Sequence, residues 1–487
     1  MPESMIKPRM LIDGELVYAS DGTNFPLYNP ANRKQIAEVP EATAADTNAA
    51  VAAASAAFPS WSALAPSQRG RYLKALAKLI REHKSQLARL DAISMGRPVT
   101  EYIDAHTAAD HFDHYAEAWP SNQGQASLHT PGHLALTLCL PYGVVAAIIP
   151  WNLPLVFLAG KAAPALITGN TVVVKTSEKA PLAAAHVAEL IQQAGFPRGV
   201  FNVICGHGTP SGATLAAHMD VRVLSFTGSG RTGRLIQEIA ARTNLKKVVL
   251  ELGGKSPALV FEDADIPSAA REAARSIQWN SGQVCMASSR VYVQKSVAPR
   301  FLEAYTACLR AVSVGDPTDG SVSHGPQADE TQYNFILQYI EDGKQTGELA
   351  LGGQGKLSTT NGYFIEPTVF VDTPEDARVM KEEIFGPVVS VNTFETEAEV
   401  IEKANATEFG LYASVFTKDL DRAVRLAKAL DSGYVAINCS SPTVAPDLPF
   451  GGYKLSGQGR EGWLHSMDNF LETKSVLIRV DGGEHNL

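Results

Sequence analysis

Three residues in this sequence have the types and settings that covalent chemistry on a carbonyl requires. Cys285 lies in Asn280-Ser-Gly-Gln-Val-Cys-Met-Ala287, just past a glycine at the end of Ile266–Asn280, a segment whose spacing predicts a helix. Glu251 stands before a Gly-Gly turn in Glu251-Leu-Gly-Gly-Lys255, and Asn152 sits between two prolines in Pro150-Trp-Asn-Leu-Pro154. A nucleophilic cysteine needs a base nearby, and the oxyanion its attack creates needs hydrogen-bond donors. A carboxylate and an amide answer those two needs. Most cysteines are small inert core residues, and Cys139, Cys205, Cys308 and Cys439 read that way.

Two further motifs suit a ligand with phosphates and ribose. Gly228-Ser-Gly-Arg-Thr-Gly233 fits G-x-G-x-x-G, follows the predicted strand Val221–Phe226 and opens a predicted helix. Backbone N–H groups there can meet a phosphate, although the same residues also suit a plain tight turn. In the ordinary dinucleotide fingerprint an acidic residue about 20 positions on holds a ribose, and Glu251 stands roughly there. Val172-Val-Val-Lys-Thr-Ser-Glu178 is an apolar strand running into Lys175 and Glu178. That pair either caps the strand at the surface or reaches ribose hydroxyls at the carboxyl edge of a sheet.

The elements that must position these residues follow a βαβ rhythm. Short β-branched runs alternate with Ala-rich helical segments from Val144 to Leu250, and the pattern resumes from Ala258 to Ile437, which predicts parallel sheets. A chain of 487 residues exceeds what one core holds, so two doubly wound α/β domains are expected, with the Gly253–Pro257 turn as their boundary. Helical spacing over Ala44–Phe58 and Pro66–Met95 precedes them, opened by a capping-box-like Thr43-Ala-Ala-Asp46. Pro120–Leu140 and Ser475–Val480 fit neither sheet and read as β edges able to pair with another chain.

Composition removes several classes. The net charge of −9, from 51 acidic and 42 basic residues without like-charge blocks, argues against nucleic acid. Five scattered cysteines, none in a CxxC pair, suggest neither a disulfide framework nor a metal site and suit a reducing compartment. The most apolar stretch, Gly143–Gly160, is interrupted by Pro150, Asn152 and Pro154, short of the roughly 20 clean residues of a membrane helix. No secretory or transit signal is evident, and the last four residues are not a peroxisomal signal, so cytoplasm is the expectation.

The ordered set PWNLP (150–154), VVKTSE (173–178), FTGS (226–229), ELGGK (251–255), GQVC (282–285), EIFGP (383–387) and PFGGYKLSGQGRE (449–461) resembles the aldehyde dehydrogenase superfamily across essentially the whole chain. The resemblance implies NAD-dependent oxidation of an aldehyde, with NAD preferred over NADP because Glu178 repels a 2′-phosphate. It makes Cys285 the nucleophile, Asn152 the oxyanion donor and Glu251 the residue that activates water, not a ribose ligand, with Glu461 and Lys161 on the proton path. It assigns cofactor contacts to Ile149, Pro150, Trp151, Lys175, Glu178, Gly208, Phe226, Thr227, Gly228, Ser229, Thr232, Leu252, Glu383 and Phe385. Phe157, Gly160, Trp279, Val284, Met286 and Phe450 become the walls of a roomy apolar pocket for medium-chain or aromatic aldehydes.

The organisation implied is a NAD-binding domain (1–119 and 142–253), a catalytic domain (254–453) and an oligomerisation element (120–141 and 468–487) that builds a homodimer or homotetramer. One departure concerns GSGRTG, where many relatives have GSTEVG; it either loosens that helix start or brings Arg231 to the pyrophosphate. Two other functions compete. In a CoA-acylating semialdehyde dehydrogenase CoA takes the acyl group, and such relatives generally lack the ELGGK glutamate. A catalytically silent binding protein would not need Cys285, Glu251 and Asn152 together.

Overall fold

The computed structural model describes residues 5–121, 123–356 and 361–480. Its first sheet has five parallel strands in the order Phe201–Ile204, Thr171–Lys175, Val144–Ile148, Val221–Thr227 and Lys247–Glu251. From Val144–Ile148 the chain first winds to one side and later to the other, creating the switch point at which open α/β sheets bind ligands. Both Val144–Ile148 and Thr171–Lys175 are wholly buried, which is why they read as unbroken apolar runs and not as alternation. The edges were not anticipated. A hairpin, Met10–Ile12 with Glu15–Val17, extends one side, and Gly457–Gln458 returns from far along the chain to pair antiparallel with Leu250–Glu251 on the other.

The chain leaves the first sheet at Glu251 and enters the second at Pro257. The second sheet runs Glu348–Leu351, Thr368–Val371, Val388–Phe394, Arg290–Gln294, Pro257–Val260, Tyr412–Phe416 and Tyr434–Ile437, parallel throughout except for the first strand. The fold is therefore α/β with two doubly wound sheets, as the rhythm predicts. A third, antiparallel sheet pairs Leu471–Arg479 with His133–Pro141 over nine residues, and Ala126–Ser127 with the latter strand. Its strands come from the two segments that the sequence could not fit elsewhere. Residues 481–487 of the expected oligomerisation element lie outside the described residues, as do the last four residues of the chain.

The helices agree with expectation in one place and depart from it in three. Thr43 does cap Ala44–Ser62: its hydroxyl accepts from the Asp46 N–H at 3.0 Å, while the Asp46 carboxylate accepts from the Thr43 N–H at 2.9 Å. Pro66–Met95, however, is two helices, Pro66–Glu82 and Lys84–Met95, broken at His83, whose ring hydrogen-bonds His186 at 3.0 Å. No glycine or proline marks that break. Asp104–Ala118 and Glu330–Thr346 were not anticipated; the second is capped by Asp329, which accepts from the Gln332 N–H at 2.8 Å.

Candidate active site

Residues assigned to the cofactor gather at the carboxyl ends of the first sheet's parallel strands. Ile149 to Asn152 follow Val144–Ile148, Lys175 to Glu178 end the next strand, and Gly208 opens the turn Gly208–Gly212 beyond Phe201–Ile204. Phe226 to Ser229 and Glu251 to Leu252 complete the row. The Ile149 N–H donates to the Lys175 carbonyl at 3.1 Å, locking the first two ends together. Lys175 is buried, which pushes its ammonium down, while Glu178 and Glu41 hold it up. Ser229 caps Gly230–Arg242, accepting from the Thr232 N–H at 3.3 Å, and Phe226 packs its ring against Gly228.

A cleft of about 1120 Å³ opens between the two sheets, lined by Arg231 and Leu252 from one side and by Phe335 and Glu383 from the other. Trp151 and Phe385 meet edge to face at 5.3 Å, with the Lys179 ammonium 5.3 Å from the indole. Phe385 has φ +58°, a costly conformation for a bulky residue. Gln332 holds it there, donating to the Ile384 and Phe385 carbonyls at 3.1 and 3.0 Å.

Cys285, the candidate nucleophile, is placed by a turn that only small residues allow. After Ile266–Gln278, residues Asn280, Ser281 and Gly282 all have positive φ, and a Cβ on Gly282 would lie 2.2 Å from the Gly386 carbonyl carbon. Gln283 is fully buried; it accepts from the Ala328 N–H at 2.9 Å and donates to the Asn280 carbonyl at 3.1 Å. Asn152 donates its amide to the Gln283 carbonyl at 3.1 Å, two residues before Cys285. From the other side Gly254 meets the loop, where a Cβ would fall 2.4 Å from the Cys285 carbonyl oxygen. Burial raises the Cys285 thiol well above its ordinary value, as do the charges of Glu251 and Glu383; the N–H groups of Met286 and Cys285 oppose them.

Glu251 is 2% exposed. One oxygen accepts from Thr227 Oγ1 at 3.2 Å, and the other has no partner among the described residues. Burial first, then the charge of Glu461, push its carboxyl up to about 8, against Lys161 and the Thr227 hydrogen bond. Glu461 arrives because Gly457–Gln458 joins the sheet beside Leu250–Glu251, and Phe450 then exchanges two backbone hydrogen bonds of 2.7 Å with it. The Lys161 ammonium forms an ion pair with Glu461 and donates to Ser225 Oγ at 3.0 Å; Ser225 donates to Glu461 at 3.2 Å.

The six pocket candidates divide. Phe157 lies under the Lys161 ammonium at 5.6 Å, and the missing Cβ of Gly160 would sit 3.3 Å from His111 Nδ1. Val284 and Met286 are buried beside Cys285, and Phe450 tilts against Tyr434 at 6.1 Å. Trp279 is engaged otherwise: the Arg97 guanidinium stacks on it at 4.2 Å, part of a buried Arg97–Asp104 ion pair of 3.0 Å. Ser225, Gln283 and His111 were missed. Ser225 interrupts an apolar strand and Gln283 lies two residues before Cys285, which were their signals; His111, in Asp110-His-Phe-Asp113, carried none.

The profile of the Aldehyde dehydrogenase family matches residues 17–476. The chain belongs to the aldehyde dehydrogenase family. This aldehyde dehydrogenase is 41% identical to retinal dehydrogenase 2 of Homo sapiens over 97% of its own length and 92% of that protein. It is 43% identical to the mitochondrial aldehyde dehydrogenase of Sus scrofa, over 97% and 91% of the two chains. Among solved structures, aldehyde dehydrogenase KauB from Pseudomonas aeruginosa superposes with a TM-score of 0.95 at 40% identity, covering 98% of this chain and 97% of that one. The indole-3-acetaldehyde dehydrogenase AldA of P. syringae, solved in complex with NAD+ and IAA, gives the same TM-score, identity and coverage. Aldehyde oxidation is accordingly the activity of this chain's family. Among the described residues no helix is long and apolar enough to cross a membrane.

Proposed function

We propose that this enzyme oxidises an aldehyde to its carboxylic acid with NAD, through a thiohemiacetal and a thioester on Cys285. The observation carrying this reading is the convergence of three distant segments on one loop: the Asn152 amide on the Gln283 carbonyl, Gly254 against the Cys285 carbonyl, and Glu251 close enough for its charge to raise the thiol. Cys285 attacks the aldehyde carbon as thiolate, and the oxyanion takes hydrogen bonds from Asn152 and the Cys285 N–H, each such donor contributing about 3–4 kcal/mol in the transition state. When bound, NAD supplies the acceptor for the hydride. Glu251 then removes a proton from the water that hydrolyses the thioester, and Glu461, held by Lys161 and Ser225, stands next along the proton path.

The residues present fit the cofactor. Lys175 and Glu178 end the strand on one side of Val144–Ile148, Ser229 caps a helix N-terminus after the strand on its other side, and Glu383 has one carboxylate oxygen on the Gly254 N–H at 3.1 Å, leaving the other for a ribose hydroxyl. Glu178 favours NAD over NADP because a carboxylate accepting from ribose hydroxyls repels a 2′-phosphate. Apolar walls at Phe157, Val284, Met286 and Phe450 favour medium-chain or aromatic aldehydes, and the names of two relatives, with retinal and indole-3-acetaldehyde, support a large apolar substrate. The same reading divides the chain into cofactor-binding (1–119, 142–253), catalytic (254–453) and oligomerisation (120–141, 468–487) parts. It places a homodimer or homotetramer in the cytoplasm, where five free thiols are at home.

The test is NADH formation from a panel of aliphatic, aromatic and amino aldehydes, with and without CoA, alongside Cys285→Ala. Turnover without CoA that falls by at least about 10⁴-fold in the variant is expected. Turnover that requires CoA would replace water by CoA as the acyl acceptor, and none with any aldehyde would remove the enzymatic reading.

A further inference from the structure

Lys255 closes the ELGGK motif and has no part in the proposed mechanism. Its side chain is 1% exposed, and its Nζ has no hydrogen-bond partner among the described residues. A buried ammonium in that state loses most of its hydration, so it persists only where a nearby negative charge compensates. The charged groups acting on it come from two elements. On Arg290–Gln294, Arg290 is positive and fully occupied, donating to the carbonyls of Lys255, Lys403 and Ala404 at 3.0, 3.1 and 2.9 Å. On the loop after Arg378–Lys381, Glu382 is engaged by Tyr339 and Arg378, which leaves Glu383 as the carboxylate able to answer Lys255.

Glu383 is built into the same corner. It accepts the Gly254 N–H at 3.1 Å and lies so close to Gly253 that a Cβ there would fall 2.1 Å from its second oxygen. Residues 253 and 254 thus form a cradle in which two glycines admit the carboxylate, and the next residue along the chain is the buried, unpartnered Lys255. A carboxylate accepts two hydroxyl donors of a diol; a protonated carboxyl offers fewer acceptor sites and spends its own proton.

The geometry points to Lys255 as the positioning residue that keeps Glu383 ionised, so that cofactor binding at Glu383 depends on the charge of a lysine that never touches the cofactor. This deepens the proposed function, since it rests on Glu383 receiving the nicotinamide ribose. Burial lowers Lys255 to about 7 and raises Glu383 to about 7, the Gly254 N–H and then the charge of Lys255 opposing that rise, so both groups titrate near neutral pH. Removing the cation leaves Glu383 buried without compensation, and its proton is then lost only at higher pH.

The experiment is the dissociation constant of NAD+ for the full-length apoenzyme, read by tryptophan fluorescence from pH 6 to 10, in wild type, Lys255→Met, Lys255→Gln, Lys255→Arg and Glu383→Gln. Circular dichroism and a melting curve select the folded variants; Lys255→Gln substitutes if Lys255→Met does not fold. In the uncharged variants NAD+ binding at pH 7 weakens about fivefold or more and recovers by pH 9.5, the midpoint moving up by about one pH unit or more. Lys255→Arg, charged across the whole range, binds NAD+ with a midpoint at or below that of wild type. Uniform weakening at every pH in the uncharged variants would reduce Lys255 to packing and overturn the inference. Glu383→Gln binding NAD+ as wild type does would instead refute the ribose assignment on which it rests, a separable result because it does not involve Lys255.

Discussion

In the proposed mechanism Glu251 surrenders a proton in a place where burial and Glu461 hold that proton on. With its carboxyl pushed up to about 8, thioester hydrolysis is expected to rise about tenfold per pH unit below that value and level off above it. Single-turnover acid release measured across pH 6 to 10 checks this; a profile flat through pH 8 would give the proton to another group. Glu251→Gln should keep a burst of about one NADH per site and slow the steady state by about 10²-fold or more. Loss of the burst, seen by stopped-flow absorbance, would mean that Glu251 also activates the thiol. The same substitution has a consequence for stability. A carboxyl whose folded value is raised from 4.5 to about 8 contributes stability that is complete below pH 4.5 and is lost as pH rises through about 8. Relative to wild type, Glu251→Gln should therefore melt higher at pH 9 than at pH 5.

The elements around Cys285 hold it by backbone contact more than by side chains. The turn at 280–282 presses on the Gly386 backbone, and Gly254 lies against the Cys285 carbonyl. Misplacing a reacting group by about 1 Å can cost roughly 10²-fold in rate. Gly254→Ala puts a methyl 2.4 Å from the Cys285 oxygen, so kcat/KM should fall by about 10²-fold, with slower alkylation of Cys285 by iodoacetamide. Unchanged alkylation and turnover would show that the loop relaxes around the methyl group. The strands that carry the cofactor residues were legible because burial on both faces leaves a continuous apolar run. Glu330–Thr346 carried its own signal in Asp329 and in the buried Tyr333, Ile336 and Ile340, which recur at helical spacing. The break at His83 had none, since it depends on a partner, His186, over a hundred residues away.

For the whole molecule, the third sheet leaves Leu471–Arg479 as a nine-residue edge strand, with Leu477 61% and Ile478 43% exposed and Leu138 exposed on its neighbour. Long apolar edges of this kind invite pairing with another chain. Leu477→Glu combined with Leu138→Glu is expected to shift the protein to a smaller species in sedimentation velocity, with little change in far-ultraviolet circular dichroism. An unchanged sedimentation coefficient would move the assembly surface elsewhere.

Runs of neighbouring residues determined much of this protein without its tertiary structure: which segments are strands, that the sheets are parallel, and that Cys285, Glu251 and Asn152 are the candidates for chemistry. Periodicity and short motifs are properties of residues adjacent in the chain, and desolvation and sterics act on them locally. Only the tertiary structure decided that Glu461 reaches Glu251 through the two-residue strand Gly457–Gln458, that Trp279 stacks on Arg97, and that Lys255 is buried without a hydrogen-bond partner. Those facts join residues far apart in the chain, and they depend on which edges pair and which charges lose their water, quantities that no local pattern encodes.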